Sequence, residues 1–285
     1  AGAAADLLAG CPQDWWVPGG LLSPDEVRGR ATFGLGVFCL ATSVLPLGLG
    51  PLLRLAGFAV DRARGKASLA RLVREGLGTR AAPAAILLAL YHLDLEPDLP
   101  LAGDLLVAGI TREPENALLH WAGSVLAWRN AGLAQAVVMT EKALWCCGED
   151  LSGTAPYLQY QLGTLKLISM QWSASYDALR RVHDGLRAER VFFPYSTAVT
   201  VQLAAVCFCT DREQEGLRLC HEVDQAQERR QDWIPALRIE GDCARLLALF
   251  ARHRAGCRGL LAFEVIYFLR QLPKVPRDAL AALRA

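Results

Sequence analysis

Three segments of this chain repeat at a fixed interval. GLAQAVVMTEKAL from Gly132, WSASYDALRRVHDG from Trp172 and REQEGLRLCHEV from Arg212 align so that Met139, Leu179 and Leu219 fall 40 residues apart. The stretch before each aligns as well, with Leu118, Leu158 and Ala198 in one column and Val125, Leu165 and Ala205 in another. Pro114, Pro156, Pro194 and Pro235 punctuate the joints, where residues that start or end helices belong. Within each unit apolar residues recur three and four apart and alternating β-branched runs are scarce, so the unit is a hairpin of two helices. Such a hairpin cannot bury its apolar face alone, and neighbours must stack to make a core. The expected fold is all-α: an α-solenoid of stacked helix hairpins with a period of about 40 residues, in which Met139, Leu179 and Leu219 are buried between units.

Helical patterning begins at Ser23. In SPDEV, Ser23 is a suitable N-cap, Pro24 fits the first helical position, and Asp25 and Glu26 favour the positive end of the helix dipole. Residues 1–22, which include CPQDWWVPGG, read as an irregular tail whose Trp15 and Trp16 pack it onto the first helices. Residues 23–285 read as a single helical-repeat domain, with an N-terminal helical part at 23–112 and repeat units at 113–285. The chain begins AGAAADLLAG, without an initiator Met, as a piece of a longer protein would.

The run from Ala31 to Leu53 carries no charge and is long enough to span a bilayer. A basic flank follows it, with Arg62, Arg64, Lys66, Arg71, Arg74 and Arg80 against Asp61 and Glu75. Against a span stand Pro46 and Pro51, together with Gly34, Gly36, Gly48, Gly50 and Gly57, which remove donors and raise the cost of one continuous helix. Freed carbonyls at mid-bilayer would meet no water. The expectation for 34–58 is a bent pair of buried helices joined near Pro46 to Pro51, with Phe38, Leu45, Leu53 and Phe58 inward. A membrane-attached protein using 31–53 is the alternative.

A net charge of +1 with both signs scattered offers no basic stripe for nucleic acid. The nine cysteines lie mostly on apolar helical faces and read as reduced, buried thiols. Cys146-Cys147 and Cys207-x-Cys209 lack zinc-site spacing, and the five histidines are scattered, so no metal or cofactor is expected. Gly34-x-Gly36 follows no strand and lacks a third glycine; it reads as a place where two helices touch. Cys220-His221 with Glu222 is the nearest approach to a nucleophile and base, but neighbours on a helix do not face one another. A thiol-dependent enzyme is the weakest of the three readings.

In the first clear repeat, Gly132, Ala136, Ala143 and Leu144 resemble the second-helix half of a tetratricopeptide repeat, whose alanines let the paired helix approach closely. Further motifs resemble one family. Gly34, Gly36 and Phe38, then Ser43, Leu45 and Pro46, then Gly57, Phe58, Asp61, Arg62 and Gly65 are similar to the signature of the tetratricopeptide repeat protein 39 family, which includes the fungal inclusion body clearance proteins. Pro114 with Ala122 and Gly123, Trp172, and Glu264, Tyr267, Pro273 and Pro276 extend the resemblance from about Gly29 to the C-terminus. Ser124 stands where the family carries arginine, and GLLAFE where it carries a proline. The resemblance implies a non-catalytic helical-repeat adaptor that binds partner proteins or peptides in protein-aggregate clearance or lipid homeostasis. Its implied place is the cytoplasm, with the nucleus, an organelle membrane or a lipid-droplet surface as alternatives. Oligomeric state is not implied.

First helices of such hairpins line the groove. Asn116, His120, Gly123 and Ala127 form a stripe at helix spacing apart from Leu118, Ala122 and Val125, and are the candidate peptide-contacting residues. The competing reading of His120 is a buried histidine bonded to a backbone carbonyl.

Overall fold

The computed structural model describes residues 23–44, 61–76, 78–130, 132–147, 153–189, 193, 195–228 and 260–277. The tail 1–22, Pro46, Gly57, Phe58, the joint expected near 46–51, and Cys11, Cys243 and Cys257 lie outside them. The described residues form eleven α-helices and no strand, in two compact units within Ala1–Glu113 and Pro114–Ala285.

The first unit holds α1 (Pro24–Ser43), α2 (Arg62–Glu75), α3 (Ala81–Asp94) and α4 (Leu99–Arg112). Ser23 caps α1 by accepting from the Glu26 amide at 3.2 Å, as the SPDEV pattern requires. The Glu26 carboxylate accepts from Arg30 on its own helix at 2.8 Å and from both the amide and the hydroxyl of Thr79, at 2.8 and 2.7 Å. Asp61 caps α2 by accepting from the Arg64 amide at 3.0 Å. Arg62 reaches back to the Ser43 carbonyl at 3.2 Å and across to Glu96 at 3.3 Å, and Lys66 meets Glu96 at 2.6 Å. α1 and α2 touch at Gly36 and Gly65, where a side chain on either would strike the other helix. Two expectations need correction here. Gly34 faces open space, and Phe38 is 39% exposed, because both lie away from the Gly36 side of α1 that meets α2. Among the described residues no helix is long and apolar enough to cross a membrane.

The second unit stacks hairpins α5–α6 (Ala117–Arg129, Leu133–Cys146), α7–α8 (Ala155–Ile168, Trp172–Glu189) and α9–α10 (Ser196–Phe208, Glu213–Glu228), and α11 (Leu260–Phe268) packs on α9 and α7. One joint recurs through the series. The amides of Gly132, Gln171, Arg212 and Gln271 donate to the carbonyls of Ala127, Lys166, Cys207 and Ile266, each five residues back. This is the bond that closes a helix through a left-handed residue, and Met170, Asp211 and Arg270 hold that conformation with φ of 58°, 56° and 56°. α11 therefore ends as a first helix of the series does.

The first three joints are 39 and 41 residues apart, and this moves the expected columns. Leu179 and Leu219 are fully buried, but Met139 is only half-buried because Thr140, 39 residues before Leu179, occupies the inward place. Leu118, Val125 and Ala198 are half-buried too, whereas Leu158, Leu165 and Ala205 are in the core. Ala136 and Ala143 are fully buried in α6, as the repeat resemblance implies. Gly163 lets α8 close on α7: a Cβ there would lie 2.6 Å from the Leu179 Cγ, and Ser175 donates to the Gly163 carbonyl at 2.8 Å.

Candidate functional site

Along the first helices of the second unit runs a cavity of about 390 Å³, within the ordinary range of ligand pockets. α5 contributes Leu118, Trp121 and Trp128, one stripe at helical spacing. α7 contributes Tyr157, Leu158, Tyr160, Gln161 and Thr164, with Thr154 just ahead of it. Tyr195, Leu269 and Gln271 complete the wall. Among the described residues no lining side chain is charged.

The aromatic wall is keyed from behind by Phe193, which is buried against Tyr157, Tyr160 and Tyr195 at centroid distances of 4.6, 6.1 and 5.8 Å. Tyr160 and Tyr195 stack nearly parallel, 5.4 Å apart. Tyr157 and Tyr195 remain 40% and 47% exposed, so their rings are available from the groove. At the far end Trp128 donates from Nε1 to Gln271 at 3.1 Å, and Lys274 donates to the Trp128 carbonyl at 2.7 Å with its ammonium over the indole. Burial and then neighbouring Arg129 lower the pKa of Lys274. The turn after α11 is thus fastened to the end of α5.

Neutral rungs cross between successive first helices. Gln161 donates to Ser124 at 2.6 Å, Thr164 donates to Gln202 at 2.9 Å, and Gln202 donates on to the Tyr160 hydroxyl at 3.2 Å. Ser124, at the position where the resemblance led to arginine, is fully buried and passes its own proton to the Trp121 carbonyl at 2.7 Å.

The four candidate residues sit elsewhere. Asn116 is the N-cap of α5 and accepts from the amides of Leu118 and Leu119 at 3.1 and 3.3 Å. His120 is buried and donates from Nε2 to the Pro114 carbonyl at 2.8 Å, while Gly123 and Ala127 are buried in the helix packing. All four lie on one face of α5, but that face is the packed one. The open face is the stripe of Leu118, Trp121 and Trp128, part of which sequence reasoning assigned to the core. The signal was present in the aromatics: Trp121 and Trp128 are seven apart on one first helix, and Tyr157 and Tyr160 are three apart on the next, with Gln161 beside them.

Family-signature residues map to the first unit's joints, as described for Gly36, Ser43, Asp61, Arg62 and Gly65. Glu264 on α11 is half-buried and Tyr267 is 61% exposed. The sulfur chemistry weighed earlier finds no geometry among the described residues. Cys220 is buried while His221 is exposed and bonded to Gln225 at 3.0 Å, and Glu222 is engaged by His183 and Arg187. Burial pushes the thiols of Cys207 and Cys209 up to about 12 and about 11, far from the thiolate form a nucleophile needs. Every cysteine among the described residues is free of a disulfide.

Stacked hairpins, alanine-packed second helices and an open groove along the first helices define a tetratricopeptide-like helical-repeat protein, a class that generally mediates protein–protein interaction without catalysis. The chain belongs to the Iml2/Tetratricopeptide repeat protein 39 family, whose model matches residues 23–282. No solved structure matches it.

Proposed function

We propose that this protein is a non-catalytic adaptor that holds a segment of a partner protein in the groove between α5 and α7. The observation that carries this reading is the uncharged aromatic cavity of about 390 Å³, since aromatic anchors in desolvated pockets supply most of the energy at protein interfaces. The family resemblance supports a role in protein-aggregate clearance or lipid homeostasis, with the adaptor working in the cytoplasm. A photo-crosslinking amino acid at position 157, inside the groove, is compared in cells with one at position 138 on the exposed side of α6. The adaptor reading expects partner proteins crosslinked from 157 and not from 138, and loss of capture when Tyr195→Asp puts a charge into the groove. Equal capture at both positions, or capture unaffected by Tyr195→Asp, overturns it.

A further inference from the structure

Trp128 stands at one end of the groove, and the chain's own C-terminal turn already engages it. An indole meets a partner through its N–H and its ring face. Here the N–H donates to Gln271 at 3.1 Å, and the Lys274 ammonium sits 5.3 Å from the ring centroid while donating to the Trp128 carbonyl at 2.7 Å. Gln271 and Lys274 lie 143 and 146 residues further along the chain. Leu269 and Gln271 also wall the cavity at this end, so the turn is an end-stop as well as a contact.

The turn and the helix that carries it are held in different ways. α11 is anchored by apolar burial, with Leu261, Ala262, Val265 and Ile266 all in the core. The short 3-10 turn Leu272–Lys274 that follows exposes Leu272 and Pro273, and of residues 270–277 only Val275 is buried. Two hydrogen bonds tie the turn to α5, and both end on Trp128. Seating Lys274 takes its ammonium partly out of water and brings it near Arg129, and both effects disfavour its charge. A segment with little apolar burial and few ties opens locally, at a fraction of the free energy of global unfolding, while its anchor stays packed.

We propose that Gln271 and the turn Leu272–Lys274 form a displaceable strap, which covers Trp128 when no partner is seated and gives way when a partner segment reaches the indole. This rests on the adaptor reading above and adds the chain's own competitor for that groove. Partner binding then includes opening of the strap, so the apparent affinity is lowered by the fraction of molecules in which it is closed.

Two variants of the intact chain test the strap. Lys274→Ala cuts one tie at a residue outside the cavity lining, and Gln271→Ala cuts the other. Hydrogen exchange, read by mass spectrometry, compares residues 271–277 with α11. In the wild type the turn should exchange at least about tenfold faster than α11, as a locally opening segment does. In Lys274→Ala it should exchange faster still, with α11 unchanged. Partner capture by the crosslinker at position 157 should rise in each variant by roughly 2- to 10-fold, the equilibrium weight of one hydrogen bond. Exchange of the turn in step with α11, or capture that neither variant raises, overturns the strap and leaves the adaptor reading standing. Absence of capture from position 157 in the wild type and both variants overturns the adaptor reading, and the strap with it.

Discussion

Gly34 and Gly36 lie two residues apart on α1, and replacing each by alanine should move stability in opposite directions. A Cβ at Gly34 meets nothing within 4 Å. Gly34→Ala therefore gains only helix propensity, about 0.8–1 kcal/mol. At Gly36 the same Cβ would lie 2.7 Å from the Leu69 Cγ and 2.8 Å from its Cδ2, with the Gly65 carbonyl at 3.3 Å. Leu69 is fully buried and has nowhere to swing. Overpacking of this kind costs about 1–3 kcal/mol, so after the propensity gain Gly36→Ala should lose up to about 2 kcal/mol. Gly65→Ala should lose at least as much, because its Cβ meets the Leu40 amide nitrogen at 3.0 Å and the Gly36 carbonyl at 3.1 Å, and backbone cannot rotate aside. Urea unfolding of the purified chain, followed by helix circular dichroism, measures all three. The order Gly34→Ala above wild type, wild type above Gly36→Ala, and Gly65→Ala lowest is expected. If Gly34→Ala and Gly36→Ala shifted the midpoint alike, the close approach of α1 and α2 at Gly36 would be wrong.

Other consequences are independent of that contact. Hydrogen bonds from Thr79 hold Glu26, and those from Lys66 and Tyr91 hold Glu96, at about 2 against an ordinary 4.5. Because the folded form binds these protons less readily, stability should be full above about pH 5 and fall as the pH drops toward 2; Glu96→Gln should flatten the slope of denaturation midpoint against pH in that window. Maleimide labelling of the native chain, read by mass spectrometry, should modify half-buried Cys146 and Cys147 before buried Cys39, Cys207 and Cys220; equal rates at Cys207 and Cys146 would contradict the packing of α9. Arg270 is exposed and left-handed at φ 56°, so Arg270→Gly should raise thermal stability by about 0.5–1 kcal/mol, and a loss would mean that the joint after α11 is closed differently.

Much of the fold was legible because its signals are local. Ser23 was legible as a cap from SPDEV alone, and Ala136 and Ala143 marked the tight face of α6 by their size. The columns of the second unit's first hairpin were less so, since joints 39 and 41 residues apart average to the 40 that alignment finds while shifting Met139 off the inward line. The groove was hardest to read. α5 is apolar around most of its circumference, with Leu118, Leu119, Trp121, Ala122, Val125, Leu126, Ala127 and Trp128 all on thirteen residues. Helical periodicity cannot choose a face when nearly every face is apolar. Side-chain size chooses instead: Ala122, Gly123, Ser124 and Ala127 lie where neighbouring helices press in, and the two tryptophans lie on the side that lines the groove.

The buried polar residues settle the register that hydrophobicity leaves open. Ser124 and Thr164 are 40 residues apart, and their partners Gln161 and Gln202 are 41 apart, so the same neutral pairing recurs with the hairpin, the glutamine donating in the first rung and the threonine in the second. A slip of one helix against the next could still bury apolar surface, because aliphatic residues recur along both α7 and α9. It would, however, break both rungs: the two hydroxyls keep the Trp121 and Tyr160 carbonyls of their own helices, but the buried Gln202 amide would lose Thr164 and Tyr160. An unmet buried group costs about 1–3 kcal/mol, and a slip that buries the same apolar surface has no gain to set against it. Charged pairs could fix the same register at a greater desolvation cost. Neutral rungs do it while keeping the neighbouring groove free of charge, and the same residues that align the helices thereby set what the groove can hold.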